Sequence, residues 1–225
     1  VSYNEYITER LPNRLRKPSS IAPHLADKFL TFARQSIDTS ISSDWQKELS
    51  QIIQVSISEF KAPMNAAAMV IERRTGDVKA YVGSSAYSEI DRKGAVNYLT
   101  AVRSPGSTLK PLIYATALQR GFIKPNHVYQ DKVFHQNGYT PTNFDGNWTG
   151  EVTLKDALIR SLNIPAIETL DMLGPEEFEK NLRSFFGKEI GHGKEAGLSL
   201  AAGGFYMSAE NLADLYVELA DPGHE

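Results

Sequence analysis

The feature that most constrains the fold of this chain is a helix that is apolar on nearly all of its faces. The pattern predicts that this helix begins near Ser107 and ends at Gly121. Its apolar side chains are Leu109, Leu112, Ile113, Ala115, Ala117 and Leu118. A helix without a polar face has to be covered on all sides. The 225 residues of the chain are enough to build a core around it.

Strands and further helices are predicted around this helix. Two strands, 66–73 and 78–84, are joined by a turn at Gly76, which is free to take a positive φ. Residues 122–151 are predicted as a long loop, and 1–40, interrupted by three prolines, as a linker with a short helix around 24–34. Apolar periodicity, cap residues and prolines predict helices over 43–60, 154–162, 165–173, 175–186 and 208–220.

Composition excludes several kinds of site. The net charge of −3 gives no reason to expect binding to nucleic acid. The absence of cysteine excludes disulfides, thiolate zinc sites and cysteine nucleophiles. The five histidines are scattered without metal-ligand spacing and are interpreted as surface or loop residues, so no metal and no cofactor is expected. No apolar run approaches the roughly 18 residues that a membrane helix needs.

Ser107 and Lys110 form a Ser-x-x-Lys pattern at the start of the apolar helix. Residues three apart on a helix share a face, so the hydroxyl and the amine can meet. A serine hydroxyl is a poor nucleophile without a base. Lysine can be that base when its environment lowers its pKa from about 10.4 to near neutral. The free N–H groups of a helix N-terminus would then favour a developing oxyanion.

The sequence around Ser107 makes a functional role more plausible for this Ser-x-x-Lys pattern than the pattern alone would. It occurs twice, but the copy at Ser58 lies at the end of an amphipathic helix without a Pro-Gly before it, and is interpreted as a solvated helix end. Ser161 and Asn163 form a Ser-x-Asn pattern in an ordered corner between two helices. A second hydroxyl can relay a proton, and a carboxamide can bond both a lysine and a substrate amide.

Several segments resemble a known family, in the right order along the chain. Residues 104–121 and 150–174 look like the first and second motifs of penicillin-binding transpeptidases. Residues 71–84 and 140–152 fit the bifunctional class A enzymes, as do 10–29 and 197–204. The resemblance implies an α+β fold of the penicillin-binding/serine β-lactamase-like type. It has an antiparallel sheet flanked by helices, and a helical subdomain. The linker would be 1–40 and the transpeptidase domain 41–225.

The resemblance also implies roles for the site residues. Ser107 would be the acylated nucleophile and Lys110 the general base. Ser161 would pass the proton to the leaving amine, and Asn163 would orient Lys110 and the substrate. The substrates would be peptidoglycan stem peptides, and β-lactams would acylate the same serine. The family keeps an asparagine near Asn143, so a place in the substrate cleft and a turn-forming role both stay open for it.

One departure from the family is expected to matter. The third motif, Lys-Thr-Gly or Lys-Ser-Gly on an edge strand, is absent from these residues, so the C-terminal strands of the sheet would be missing and this polypeptide alone would have little activity. The parent protein would carry a membrane anchor and a glycosyltransferase domain, and would act at the periplasmic face of the inner membrane.

Other interpretations of the pattern stay open. A serine β-lactamase or carboxypeptidase on the same fold needs a way to activate water, and no dedicated glutamate can be named. A non-catalytic β-lactam sensor or cell-wall scaffold would use the same fold. Asp131, Asp145 and Asp156 show no carboxylate pairing for acid–base work, so surface or capping roles are favoured for them. Gly203 and Gly204 are expected to allow close packing beside the helix of Ser107.

Overall fold

The computed structural model describes residues 20–29, 36–60, 64–136, 138–186, 190 and 196–220. Most of the predicted linker lies outside these residues, as do His192 and His224. The described helices and strands, in chain order, are α1 Pro23–Phe29, α2 Ser43–Ser58, β1 Ala68–Ile71, β2 Val78–Val82, α3 Lys110–Gln119, β3 Val128–Asp131, β4 Gly150–Thr153, α4 Leu154–Ile159, α5 Asn163–Leu173, α6 Pro175–Phe186 and α7 Ala209–Ala220. Two 3-10 helices, Gly106–Leu109 and Gly197–Ala202, complete them.

The chain divides into two compact units. One comprises Val1–Val70 and Lys79–Ala95, and the other comprises Ile71–Val78 and Val96–Glu225. Helices together with the two-stranded sheets β1–β2 and β3–β4 make the fold α+β, as predicted. Among the described helices, none combines the length and the apolar character that crossing a membrane requires.

In the first unit, polar side chains tie separate segments together. Gln46 on α2 is 1% exposed, and its amide accepts from Tyr81 N at 2.6 Å and donates to Tyr81 O at 3.0 Å, as a neighbouring strand would. His24 is 3% exposed, and its Nε2 lies 2.8 Å from Gly94 O. His24 is therefore buried, and its interpretation as a surface or loop residue is wrong. The sequence gives no sign of this contact, because the partner carbonyl lies 70 residues away.

In the second unit, the predicted apolar helix lies at the centre of the core. Leu109, Ile113 and Ala117 are fully buried. They pack in one cluster with the buried face of α5, whose members include Ala166, Ile167 and Leu170. The prediction of a buried helix is confirmed for this face, whereas Leu112, Ala115 and Leu118 are only partly buried.

The prediction of an unbroken loop over 122–151 is wrong at both of its ends. The short strands β3 and β4 pair there in antiparallel register, with Val128 opposite Thr153 and Asp131 opposite Gly150. Each strand has four residues, and this is too few for alternation to stand out. The pairing brings the end of β3 close to the start of α4.

Helices α4 and α5 begin near the predicted positions, and α4 has a side-chain cap. Thr153 accepts a hydrogen bond from Asp156 N at 3.1 Å and begins α4 as predicted. Helix α5 begins at Asn163, two residues before Pro165. A proline in the first turn is tolerated because its missing N–H would have no partner inside the helix.

Candidate active site

Ser107 and Lys110 lie where the 3-10 helix Gly106–Leu109 passes into α3. The backbone N–H of Lys110 bonds to the carbonyl of Ser107. Ser107 is exposed, whereas the side chain of Lys110 is buried and the residue is 1% exposed. Pro111 fits directly after Lys110 because the first turn of a helix has spare N–H groups. Both residues of the pattern therefore lie at the N-terminus of a buried helix.

The amine of Lys110 reaches the second pattern. Its Nζ donates to Ser161 O at 2.6 Å and to Asn163 Oδ1 at 2.7 Å, and it lies 3.3 Å from Ser161 Oγ. These three acceptors match the three donors of an ammonium group. The structure thus brings together three of the four predicted catalytic side chains.

The environment of Lys110 changes its acidity. Burial lowers the pKa of Lys110 from 10.5 to about 8. The hydrogen-bond acceptors favour the charged form, but removal of the amine from water opposes it and dominates. Roughly a tenth of the amines are then neutral at pH 7, one pH unit below that pKa. A neutral amine is what a general base needs.

Ser161 adopts a backbone conformation that few non-glycine residues adopt. Its φ is 54°, in the left-handed region. It follows the end of α4, and the next residue, Leu162, already bonds back to Ala157 O at 3.0 Å. The turn leaves both the carbonyl and the hydroxyl of Ser161 within reach of Lys110 Nζ. Such strain is commonly found at functional sites.

The hydroxyl of Ser107 is the least constrained part of the site. Within the described residues, no hydrogen bond joins Ser107 Oγ to Lys110 Nζ. Catalytic hydrogen bonds often tighten only when a substrate is bound. The activation of Ser107 by Lys110 stays a prediction.

Residues about a hundred positions later hold the turn that carries Ser107. Gly203 has a φ of 98°, and a Cβ on it would lie 2.7 Å from Gly106 Cα. Its carbonyl accepts from Ser104 Oγ at 2.6 Å. The hydroxyl of Tyr216 donates to Thr108 O at 2.9 Å. The close packing expected of Gly203 is confirmed, whereas nothing in the sequence pointed to Tyr216.

Asn143 lies beside the Ser161–Asn163 corner. It is 3% exposed, and its Oδ1 accepts from Asn163 N at 2.8 Å. The neighbouring Thr142 O accepts from Asn163 Nδ2 at 2.7 Å. Asn143 therefore supports the corner from inside the protein, and its predicted contact with substrate stays a prediction.

The three aspartates differ in their surroundings. Asp131 is 1% exposed, so a surface role for it is wrong. Asp145 accepts from Asn147 N at 3.1 Å in a local turn, and Asp156 bonds the capping Thr153 Oγ1 at 2.7 Å. In the part of the chain that the structure describes, no three histidine, aspartate or glutamate side chains are grouped so as to hold a metal ion.

Comparison with known proteins gives matches over most of the chain. The family described as "Penicillin binding protein transpeptidase domain" matches residues 66–214. Penicillin-binding protein 1C of Escherichia coli (strain K12) is 32% identical over 188 residues, which are 83% of this chain and 24% of that protein. Penicillin-binding protein 1F of Bacillus subtilis (strain 168) is 40% identical over 139 residues, 61% of this chain and 18% of that protein. The chain thus spans a quarter or less of the length of these relatives.

A solved structure shows the same fold. The PonA1 protein from Mycobacterium tuberculosis in complex with penicillin V has a TM-score of 0.70 and 19% identity, with coverage of 88% of this chain and 56% of that one. The backbone of this chain therefore follows a path similar to that of PonA1 over the matched residues.

Proposed function

This chain belongs to the penicillin-binding protein transpeptidase family, and from that premise we propose that its protein cross-links peptidoglycan stem peptides through a serine acyl-enzyme. One observation supports the proposal most directly. The buried amine of Lys110 contacts both members of the Ser161–Asn163 corner, one helical turn after the exposed Ser107.

In the proposed reaction, Ser107 Oγ attacks the carbonyl carbon of the penultimate D-Ala of a stem peptide. The neutral amine of Lys110 takes the hydroxyl proton as the C–O bond forms. The negative charge that develops on the carbonyl oxygen lies near the N-terminal end of the helical segment that begins with the 3-10 helix Gly106–Leu109, where the first backbone N–H groups favour an anion.

Collapse of the tetrahedral intermediate breaks the C–N bond to the terminal D-Ala. Ser161 passes the proton to the leaving nitrogen, and its Oγ lies 3.3 Å from Lys110 Nζ for this relay. An amine of a neighbouring stem peptide then attacks the ester, forms the new amide bond and returns the proton to Ser107. Asn163 orients Lys110 throughout through its bond of 2.7 Å.

β-Lactams fit the same site. Their strained amide would acylate Ser107 in the place of the stem peptide, and the relative PonA1 has been solved with penicillin V. Because peptidoglycan lies outside the inner membrane, we place the domain at the extracytoplasmic face, in a parent protein with a membrane anchor and a glycosyltransferase domain.

Mass spectrometry after penicillin treatment tests the proposal. The natural full-length chain that carries this sequence should gain the mass of one penicillin, and peptide mapping should locate it on Ser107. Ser107→Ala should abolish the adduct, whereas Ser58→Ala, which removes the serine of the other Ser-x-x-Lys, should leave it unchanged.

The same measurement separates the other functions. Rapid release of the adduct would indicate a β-lactamase, and absence of an adduct would indicate a scaffold. A stable adduct without cross-linking of a lipid-linked substrate would indicate a sensor. Only a stable adduct together with cross-linking supports the transpeptidase.

A further inference from the structure

Asp131 carries a buried carboxylate that the proposed reaction does not use. It ends strand β3 and is 1% exposed. Both of its oxygens lie 2.9 Å from Asn143 Nδ2, and Oδ2 also accepts from Thr149 N at 2.8 Å. A buried carboxylate is costly unless hydrogen bonds compensate it. These hydrogen bonds compensate the cost of burying the carboxylate, and they join Asp131 to Asn143.

The amide of Asn143 also makes hydrogen bonds to two further residues. Its Nδ2 also donates to Asn147 O at 2.9 Å, while its Oδ1 accepts from Asn163 N at 2.8 Å. Ionised carboxylate oxygens only accept hydrogen bonds. The carboxylate of Asp131 therefore fixes the NH₂ end of the amide towards itself, and this leaves the oxygen facing Asn163.

The opposite orientation of this amide would be unfavourable at both ends. Nδ2 of Asn143 would then face the N–H of Asn163, and Oδ1 would face the carboxylate of Asp131. The first pair consists of two donors and the second of two acceptors, and buried polar groups left without a partner cost about 1–3 kcal/mol each.

The contact chain ends at the proposed base. The backbone N–H of Asn163 donates to Asn143 Oδ1, and Asn163 Oδ1 accepts from Lys110 Nζ at 2.7 Å. We propose that Asp131 is a positioning residue of the transpeptidase: it fixes the amide of Asn143, and through it the Ser161–Asn163 corner and the amine of Lys110. The inference rests on the proposed function, since it assigns Asp131 a part in the same reaction without contact with the substrate.

The first test is Asp131→Asn in the natural full-length chain. The new side chain has the same shape, but one of its two ends donates. If that end faces Thr149 N or Asn143 Nδ2, two donors meet. We expect the second-order rate constant for acylation by a fluorescent penicillin to fall about tenfold or more per folded molecule, because small displacements of a base are costly.

The second test exchanges the two residues, as Asp131→Asn with Asn143→Asp. The amide now at position 131 would donate to the carboxylate at position 143 and accept from Thr149 N. The other oxygen of that carboxylate would accept from Asn163 N. Its first oxygen would also face Asn147 O and the amide oxygen at position 131, which are acceptors. The exchange restores the hydrogen bonds that lead from Thr149 N to Asn163 N, so we expect it to recover part of the acylation rate that Asp131→Asn loses.

Thr169→Val is the matched control for stability. Thr169 is fully buried on α5, lies 2.7 Å from Tyr129 Oη and donates to Pro165 O. Its replacement removes buried hydrogen bonds in the second compact unit. None of the hydrogen bonds that lead from Asp131 through Asn143 and Asn163 to Lys110 involves Thr169. We expect a lower Tm with the acylation rate per folded molecule unchanged.

The outcomes are distinct. Slow acylation by Asp131→Asn with recovery in the exchanged pair supports the inference. It is overturned if Asp131→Asn acylates as fast as Thr169→Val, or if the folded exchanged pair stays slow. If Asp131→Asn does not fold, the exchanged pair decides by its own rate against the unmodified protein. Failure of the unmodified protein to react with penicillin would instead count against the proposed function.

Discussion

The amine of Lys110 lies 2.7 Å from the amide oxygen of Asn163, and this contact joins the start of α3 to the start of α5. Two helix N-termini therefore meet at one ammonium group. Its other close acceptor, Ser161 O at 2.6 Å, belongs to the same corner. The four predictions below depend on this arrangement and on the turn of Ser107.

The rate of acylation should follow the neutral fraction of Lys110. Because burial lowers the pKa of Lys110 to about 8, the rate constant should rise about tenfold per pH unit below pH 8 and level off above it. Stopped-flow measurements with a fluorescent penicillin between pH 6 and pH 10 check this. A profile that is flat from pH 6 to pH 8 would exclude Lys110 as the titrating base.

Asn163→Asp should move this profile to higher pH. A carboxylate at the position of the amide would favour the charged form of Lys110 and raise its pKa. Acylation at pH 7 should then fall about tenfold or more, with partial recovery at pH 9. Gln119→Glu adds the same charge at the exposed far end of α3 and should leave the profile in place.

Two replacements of Ser161 separate its hydroxyl from its backbone strain. Ser161→Ala and Ser161→Gly both remove the hydroxyl, so both should slow acylation to a similar extent. Glycine alone relieves the φ of 54°, and we expect the glycine variant to be more stable than the alanine variant by about 1 kcal/mol. Urea unfolding measures the difference. Equal stabilities would show that the corner relaxes without cost.

Gly203→Ala should displace the turn of Ser107. The new Cβ would lie 2.6 Å from Ser104 Oγ and 2.7 Å from Gly106 Cα, which requires movement of the backbone. We expect a loss of about 2–4 kcal/mol in the free energy of unfolding, together with slower acylation.

Gly76→Ala is the control for this change. Gly76 also has a positive φ, 71°, but a Cβ there meets nothing within 4 Å. It should cost only the conformational penalty of about 1 kcal/mol and leave acylation unchanged. If both glycine variants acylate at the unmodified rate, Gly203 has no part in placing Ser107.

The sequence was most informative where local rules determine the structure. The apolar helix of Ile113, the capped start at Thr153 and the proline-opened α6 follow from periodicity and caps, and the structure confirms them. The meeting of Lys110 with Ser161 and Asn163 was predictable from the chemistry that the two patterns imply.

Contacts between distant residues were not predictable in the same way. Tyr216 reaches Thr108 across 108 residues, and Gln46 reaches Tyr81 across 35. A surface or capping role was favoured for Asp131 because the sequence shows no carboxylate pairing for it, and its partner Asn143 comes 12 residues later. Such pairs depend on how elements pack, and a single sequence does not record this.

The support of the Ser107 turn has a consequence for biosynthesis. Gly203 O and Tyr216 Oη, which bond Ser104 and Thr108, follow their partners by 99 and 108 residues. A ribosome makes the chain from the N-terminus, so the serine emerges long before the groups that set its geometry. The turn of Ser107 therefore takes the geometry described above only after α7 has been translated and has packed against it.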